Sequence, residues 1–322
     1  MRLSIALTLV GLACVLATPQ GYAESPNRTD DNQLKHNESL LPELEKLARA
    51  QGDHFFTIVE IFNGETNSAV IRENIRCHNA YSIAKLFTVT ALGIMEDKGL
   101  LDIDEPIYPI LQDYFPEEFD PKWRDVKISD VIRHRTGFGK AGFLDIDAEN
   151  SARWDRNFLK IVLSDPLKYA PGEKYVYTDA TFYLASRIAS EKCGEKLNEF
   201  MIRELLDPLE FAEYAFSTDP EGYPIGATGF YSSTEDMAKL GLLYVQDGVY
   251  NGKRILSKRF VDEAFDRTFE LYPVGSEGVA FTKGGAYGQL LYMNRKTKRV
   301  VAAHSYQGDT GKLLEFLAEN DN

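Results

Sequence analysis

The sequence predicts a mixed α/β (α+β) fold, in which an antiparallel sheet flanked by helices is joined to a mostly helical lobe. Strand-like runs rich in β-branched and aromatic residues lie near both ends of the chain. The stretch between them, about 99–226, has the spacing of helices and loops. Because a single sheet needs both sets of strands, the N-terminal and C-terminal strands should pair. We expect the functional site in the cleft between this helical lobe and a sheet lobe of about 40–98 and 227–322.

The N-terminus has the features of a secretion signal. Arg2 precedes an apolar run over 3–17, and small residues precede an expected cleavage after Ala23, with Ala17 as the alternative. Polar residues over 24–39 predict a linker. The apolar run is shorter than the roughly 20 residues that a membrane span needs. We therefore expect an exported protein, periplasmic or secreted, whose mature form has no membrane span and contains a single domain over 40–322.

The net charge of the chain argues against two classes of binding partner. A formal net charge of −13 argues against nucleic acid and anionic membranes, which are bound by basic patches.

The cysteines and histidines suggest neither a lipid anchor nor a metal site. Gly11 stands where a lipoprotein signal has a branched apolar residue, so we do not expect lipid anchoring at Cys14. Export would permit a disulfide between Cys77 and Cys193, but their spacing leaves the pairing open. The five histidines are scattered without HExxH or CxxC patterns, so no metal or cofactor is predicted.

The remaining elements follow from hydrophobic spacing and turn residues. Asn63-Gly64 is a strong hairpin signal between two predicted strands, 54–62 and 69–76. The predicted helices are 40–51, a short one beginning at Ser129, 154–163, 181–192, 234–247 and 310–318. The predicted C-terminal strands are 287–293 and 299–303.

The segment around Ser82 and Lys85 organises the chain. A helical pattern follows Ser82 as far as Gly99, so the two side chains should lie on one face of its first turn, with Cβ atoms about 5–6 Å apart. A lysine amine accepts a serine proton once burial and nearby positive charge lower its pKa. The helix N-terminus adds partial positive charge and N–H groups for an oxyanion. Taken alone, the pattern also fits a capping serine and a solvated lysine.

Further segments in a fixed order extend this pattern from about Phe56 to Ala303. After the run S-x-x-K-x-x-T at 82–88 come segments 95–106, 128–138 (ending in His134-Arg135-Thr136-Gly137-Phe138), 171–179 (Pro171-Gly172 through Tyr177-Thr178-Asp179) and 229–239. In this order and spacing the chain resembles the serine β-lactamase-related hydrolases: class C β-lactamases, D-alanyl-D-alanine peptidases and their esterase relatives. The resemblance implies a β-lactamase/transpeptidase-like fold.

The resemblance also implies roles for particular residues. Ser82 would be the acylated nucleophile, and Lys85 would shuttle its proton. The Tyr177 hydroxyl would point at Ser82, acting with Lys85 as base and then as acid toward the leaving group. The Lys85 ammonium would make this phenol useful near neutral pH. The backbone N–H groups of Ser82 and of the strand near Ala286 would form the oxyanion hole.

Two positions depart from the family pattern. Asp179 stands where the family has Asn, and an ionised carboxylate would pair with Lys85 and hold it protonated. Alternatively, Asp179 is itself protonated or turned toward solvent. The third family motif is reduced to Lys283-Gly284-Gly285, in which Lys283 would pair with a substrate carboxylate.

The sequence therefore predicts an exported serine hydrolase that forms an acyl-enzyme on Ser82. Its substrate would be an ester, an amide, a D-Ala-type peptide or a β-lactam, thus a small molecule or a cell-wall peptide. The alternative is a non-catalytic peptidoglycan-peptide-binding module on the same fold, motivated by Asp179 and the reduced third motif. Loops at about 138–156 and 208–226 are expected to set specificity.

Overall fold

The structure is a computed structural model that describes residues 38–73, 76–140 and 157–321. The predicted signal peptide, 1–23, and residues 24–37 of the predicted linker lie outside the described residues. In the described residues the strands are β1 (Phe55–Phe62), β2 (Glu65–Val70), β3 (His78–Asn79), β4 (Tyr214–Phe216), β5 (Phe230–Ser232), β6 (Val249–Tyr250), β7 (Lys253–Arg254), β8 (Tyr272–Val274), β9 (Ala280–Gly285), β10 (Gln289–Asn294) and β11 (Val300–Ser305).

Six of the α-helices of the same residues follow one another between β3 and β4. The α-helices in these residues are α1 (Leu41–Arg49), α2 (Ala84–Asp97), α3 (Tyr108–Leu111), α4 (Ile128–Ile132), α5 (Phe158–Leu163), α6 (Asp179–Cys193), α7 (Leu197–Met201), α8 (Thr234–Val245), α9 (Lys258–Asp266) and α10 (Thr310–Asn320). Helix α7 continues into one π-helical turn, and short 3₁₀ turns cover Tyr81–Ile83, Gln112–Tyr114 and Pro121–Arg124.

Six strands form one antiparallel sheet in the order β2-β1-β11-β10-β9-β8. The predicted pairing of the N-terminal and C-terminal strands is confirmed, because β1 lies beside β11 with Ile58 opposite Ala303. The strands β10 and β11 correspond to the predicted strands 287–293 and 299–303, and their ends are shifted by one or two residues. Tyr287 and Gly288 have positive φ and form the turn after β9, so β10 begins only at Gln289.

The hairpin turn between β1 and β2 corrects the predicted second strand. Asn63 (φ 51°) and Gly64 (φ 80°) both have positive φ, the conformation that a two-residue hairpin turn requires. Phe62 consequently pairs with Glu65, and β2 runs Glu65–Val70 instead of the predicted 69–76. The tight turn sets the start of the strand, so the prediction placed it four residues too late.

The sheet separates two hydrophobic cores. On one face, α1 and α10 cover Ile58, Leu290 and Val301. On the other face lies the larger core, which includes α2, α6 and α8. Residues Ala84 to Met95 of α2 are all buried, as expected for a helix with apolar side chains on every side and few polar ones. Helix α2 is thus enclosed by protein, with its N-terminal end next to the turn that carries Ser82.

A second, three-stranded sheet in the order β3-β5-β4 was not predicted. Its strands have two or three residues each, too few for a recognisable alternation of apolar and polar side chains. In this sheet Asn79 pairs with Tyr231, and the Ala80 N–H donates to the Phe230 carbonyl at 2.8 Å. The small sheet therefore anchors the chain immediately before Ser82.

Candidate active site

Ser82 lies in a 3₁₀ turn, Tyr81–Ile83, immediately before α2. The predicted α-helical first turn is thus a tighter 3₁₀ turn. Tyr81 has a φ of 47°, a conformation that bulky L-residues rarely adopt, and its N–H donates to Asn79 Oδ1 at 2.8 Å. Strained backbone of this kind persists only where the surrounding structure holds it, and it is concentrated at functional sites.

Lys85 is completely buried and has three hydrogen-bond acceptors around its amine. Nζ donates to Ser82 Oγ at 3.1 Å, to Asp179 Oδ1 at 2.6 Å and to the Ala227 carbonyl at 2.9 Å. An ammonium has three N–H donors, whereas a neutral amine has only two. The surroundings of Lys85 therefore match the charged form.

Tyr177 comes from the loop before α6 and donates its hydroxyl to Ser82 Oγ at 2.7 Å. Two contacts with His134 hold this loop. The Val176 N–H donates to the His134 carbonyl at 2.8 Å, and the Tyr177 ring packs on the imidazole with centroids 4.4 Å apart. The structure thus brings together the three side chains, Ser82, Lys85 and Tyr177, that the resemblance grouped as a proton shuttle.

The electrostatics of Tyr177 differ from the expectation. Burial raises the pKa of its phenol to about 12, and the opposing effect of the nearby Lys283 ammonium is too small to offset burial. The prediction that Lys85 would make this phenol easy to ionise near neutral pH is wrong for this state of the site. Tyr177 is a neutral hydrogen-bond donor here.

Asp179 is the first residue of α6. Of the three arrangements considered for it, the structure shows the pairing with Lys85. Its carboxylate pairs with Lys85 across 2.6 Å, and its side chain remains 31% exposed. The helix begins with Thr178 as its cap, whose Oγ1 accepts from the Ala180 N–H. Asp179 thus links the enclosed ammonium to the exposed side of the site.

Lys283, predicted to meet a substrate carboxylate, is instead paired within the protein. It is buried in β9, with Nζ 2.5 Å from Glu270 Oε2. The other oxygen of this carboxylate lies 3.0 Å from His134 Nε2. His134 Nδ1 accepts from the Thr178 N–H, which leaves Nε2 to carry the ring proton toward Glu270.

Charge is balanced within this buried cluster of Glu270, His134 and Lys283. Burial alone would raise the pKa of Glu270, but the Lys283 ammonium and His134 hold it well below its ordinary range. Burial lowers the pKa of His134, which is neutral as a result. Sequence reasoning missed Glu270, because it lies in a loop without any motif and meets its partners only in the folded chain.

The end of β9 lies against the turn that carries the nucleophile. A Cβ atom added to Gly285 would be 2.6 Å from the Ala80 carbonyl oxygen, so only glycine permits this approach. Ala286 follows directly and is exposed, and its carbonyl accepts from Gln289 Nε2 at 3.1 Å. Gly285 and Ala286 therefore border the turn of Ser82, where the resemblance placed the oxyanion hole.

Several other predictions concern residues elsewhere in the chain. Cys77 and Cys193, whose pairing was left open, are both free thiols. Of the loops expected to set specificity, residues 141–156 lie outside the described residues, and so does Cys14. The described ranges contain neither a group of three metal-ligating side chains nor a helix long and apolar enough to cross a membrane.

Comparison with known proteins identifies the family of this chain. A family model described as β-lactamase matches residues 77–320. A 117-residue segment is 26% identical to a proposed D-alanyl-D-alanine carboxypeptidase of Escherichia coli K12, covering 34% of this chain but only 27% of that relative.

Among solved structures, the fold is similar to that of a proposed 6-aminohexanoate-dimer hydrolase from Bacillus anthracis. The TM-score is 0.72 at 17% identity, with 87% of this chain and 80% of the other covered. A D-stereospecific amidohydrolase from a Streptomyces species gives 0.65 at 16% identity, with 85% and 97% covered. These likenesses show the fold, and the match over 77–320 shows that the chain belongs to the β-lactamase family of serine hydrolases.

Proposed function

We propose that the protein hydrolyses an ester or amide by forming an acyl-enzyme on Ser82, with Lys85 and Tyr177 moving the protons. One observation carries the proposal: Ser82 Oγ lies within hydrogen-bond distance of both Lys85 Nζ, at 3.1 Å, and the Tyr177 hydroxyl, at 2.7 Å. A nucleophile that contacts two proton-transfer groups in a partly exposed site is the arrangement that covalent catalysis requires.

Lys85 must lose a proton before it can act as the base. In the resting arrangement the Lys85 ammonium and the Tyr177 phenol both donate to Ser82 Oγ, so neither can accept its proton. Deprotonation of Lys85 to solvent, past the partly exposed Asp179, gives the neutral amine. The ion pair between Lys85 and the Asp179 carboxylate opposes this step.

Acylation then proceeds with balanced proton transfers. Ser82 Oγ bonds to the substrate carbonyl carbon while its proton passes to Lys85 Nζ, and the carbonyl oxygen becomes an oxyanion facing the Ser82 and Ala286 N–H groups. Tyr177 protonates the leaving group as its bond to carbon breaks, and the Lys85 ammonium reprotonates Tyr177. Water attacks the acyl carbon by the same transfers in reverse, and the product acid leaves with Ser82 restored.

The substrate class follows from the family and from the charge of the site. Its relatives include a proposed carboxypeptidase and an amidohydrolase, and the candidate substrates are esters, amides, D-Ala-type peptides and β-lactams. We favour neutral esters and amides, because Lys283 is engaged by Glu270 instead of facing the site. We also propose that the protein is exported, on the strength of the signal-like residues 1–23.

A fluorophosphonate probe tests the nucleophile. We expect one adduct per chain, located on Ser82 by mass spectrometry and absent from Ser82→Ala. Ser129→Ala, which changes a buried serine whose hydroxyl donates to Asp104 at 2.5 Å, is the matched control and should still be labelled. Labelling of Ser82→Ala to the same extent would indicate another nucleophile and overturn the proposal. No labelling of wild type and no ester hydrolysis from pH 6 to 10 would also overturn it and favour a binding module.

A further inference from the structure

Three tyrosines form an aromatic surface beside the proposed oxyanion site, and we refer to Tyr81, Tyr287 and Tyr306 as the tyrosine wall. The Tyr81 and Tyr287 rings have centroids 5.1 Å apart, and Tyr287 stacks on Tyr306 at 5.2 Å with the ring planes 13° apart. Tyr287 and Tyr306 are 47% and 51% exposed. Large aromatic side chains left this exposed, in contact with one another, are characteristic of binding surfaces.

The position of the wall relates it to the reacting carbonyl. Tyr81 immediately precedes Ser82, and Tyr287 immediately follows Ala286. The two proposed oxyanion donors are therefore each next in sequence to one ring of the wall. A substrate whose carbonyl oxygen lies between these donors has the wall within reach of its substituents.

The backbone of the wall is held in an unusual conformation. Tyr81 and Tyr287 have φ values of 47° and 61°, in the left-handed region that favours glycine. The Tyr287 carbonyl accepts from Ser305 Oγ at 2.7 Å and from the Gln307 N–H at 2.9 Å, which ties it to the end of β11. The rings are thus placed in advance on fixed backbone, which lowers the entropy lost when a ligand stacks on them.

The charges near the wall favour an uncharged ligand group. Lys85, which contacts Ser82, and Lys283, whose Nζ lies 5.8 Å from the centre of the Tyr177 ring, are each paired with a carboxylate. The faces of aromatic rings carry partial negative charge and stack well on other aromatic rings. An aryl group therefore suits this surface better than a carboxylate does.

We propose that the tyrosine wall is the subsite for an uncharged, aryl-bearing acyl group of the substrate, an inference that rests on the proposed function. We assign the aryl group to the acyl side of the substrate by considering the four groups bonded to the attacked carbon in the tetrahedral intermediate. One is Ser82 Oγ, one is the oxyanion facing Ala286, and the leaving group must face Tyr177 to receive its proton. The acyl substituent takes the remaining direction, and we assign it to the side of the tyrosine wall because Tyr81 and Tyr287 are next in sequence to the proposed oxyanion donors.

The test compares kcat/KM for p-nitrophenyl phenylacetate and p-nitrophenyl acetate. Stacking between aromatic groups predicts that Tyr306→Ala and Tyr287→Gly each lower the phenylacetate-to-acetate ratio by about 3- to 10-fold. Glycine is chosen at position 287 because it accepts the positive φ. Tyr287→Phe, which keeps the ring, should leave the ratio unchanged.

A second pair of substrates separates the acyl side from the leaving-group side. The ratio of kcat/KM for 2-naphthyl acetate to that for ethyl acetate should not change in these variants. The proposal is overturned by an unchanged phenylacetate ratio in Tyr306→Ala and Tyr287→Gly, or by a fall in the naphthyl ratio instead. Failure of the proposed function is distinct from both, since wild type would then release no more p-nitrophenol from either ester than Ser82→Ala does.

Discussion

The Lys85 amine lies closer to Asp179 Oδ1, at 2.6 Å, than to Ser82 Oγ, at 3.1 Å. The nucleophile and an anion thus share one buried cation, and the anion has the shorter contact. In the proposed mechanism, this ion pair must be broken before Lys85 can accept the proton of Ser82.

Replacing Asp179 by Asn should raise kcat/KM for ester hydrolysis. The substitution removes the anion that contacts Lys85 Nζ at 2.6 Å and leaves a neutral amide in its place, so an ion pair no longer holds the amine. The measurement is ester hydrolysis by wild type and Asp179→Asn between pH 5 and 10. Loss of activity at every pH would show instead that the carboxylate is required for the reaction.

Replacing Tyr177 by Phe should lower kcat/KM by about 10²- to 10⁴-fold, the usual contribution of a positioned acid or base. The ring would still pack on His134, so the fold should persist, with a thermal midpoint close to that of wild type. Because the pKa of Tyr177 is raised to about 12, the phenol stays protonated as a donor throughout the assay. Wild-type-like kcat/KM in Tyr177→Phe would remove it from the reaction.

Gly285→Ala should reduce ester hydrolysis by at least about 10-fold, since a displacement of about 1 Å near a reacting centre costs up to 10²-fold. The added methyl group would meet the Ala80 carbonyl at 2.6 Å and push β9 away from the turn of Ser82. Gly284→Ala is the matched control, because its nearest contact would be an ordinary 3.7 Å to the Gln289 carbonyl. Equal rates in the two variants would contradict a site formed by this close approach.

Glu270→Gln should lower the free energy of unfolding by about 3–5 kcal/mol, the typical cost of removing one partner of a buried ion pair. The Lys283 ammonium would stay buried without its anion, although the amide keeps a polar atom beside His134. Urea unfolding at pH 7 measures the loss. The double variant with Lys283→Met should be more stable than the single variant, and an equally unstable double variant would argue against uncompensated charge as the cause.

Acid should destabilise the fold through His304, which is completely buried in β11 and has Nδ1 3.0 Å from Thr234 Oγ1. Burial lowers its pKa to about 3, and the nearby His78 adds to the effect. Between pH 6.5 and 3 the unfolded chain binds one more proton at this ring, so stability is complete above pH 6.5 and falls with pH by about 1.4 kcal/mol per unit.

Urea unfolding of wild type and His304→Asn between pH 7 and 4.5 measures the contribution of His304 to the pH dependence of stability. Asparagine does not titrate and retains an oxygen that can accept from Thr234. We expect the slope of stability against pH below 6.5 to be smaller in the variant by about 1.4 kcal/mol per unit. Parallel slopes would assign the acid sensitivity to other groups.

Local chemistry predicted part of this structure well. Asn63 and Gly64 are residues that tolerate positive φ, so they indicated the first hairpin from sequence alone. The spacing of Ser82 and Lys85 placed both on one turn next to a buried helix. Tyr177, by contrast, lies 95 residues from Ser82, and only the resemblance to a family connected the two.

Local sequence did not predict which charged side chains would pair with one another in the folded protein. Lys283 was assigned to a substrate because the identity of its anion, Glu270, depends on how the loop before β8 returns over β9. Asp179 had three chemically sensible arrangements, and tertiary packing around Lys85 selected one of them. A tertiary ion pair of this kind becomes visible only when the strands and loops are in place.

The pairing of β1 with β11 has a consequence for biogenesis. About 240 residues separate Ile61 from its neighbour Val300, so a ribosome adding 5–20 residues per second delivers the second strand roughly 12–48 s after the first. Until then the hydrogen-bonding edge of β1 that β11 will cover has no native occupant. During synthesis this unpaired edge is a template on which a chaperone or a misfolded neighbour can add a strand.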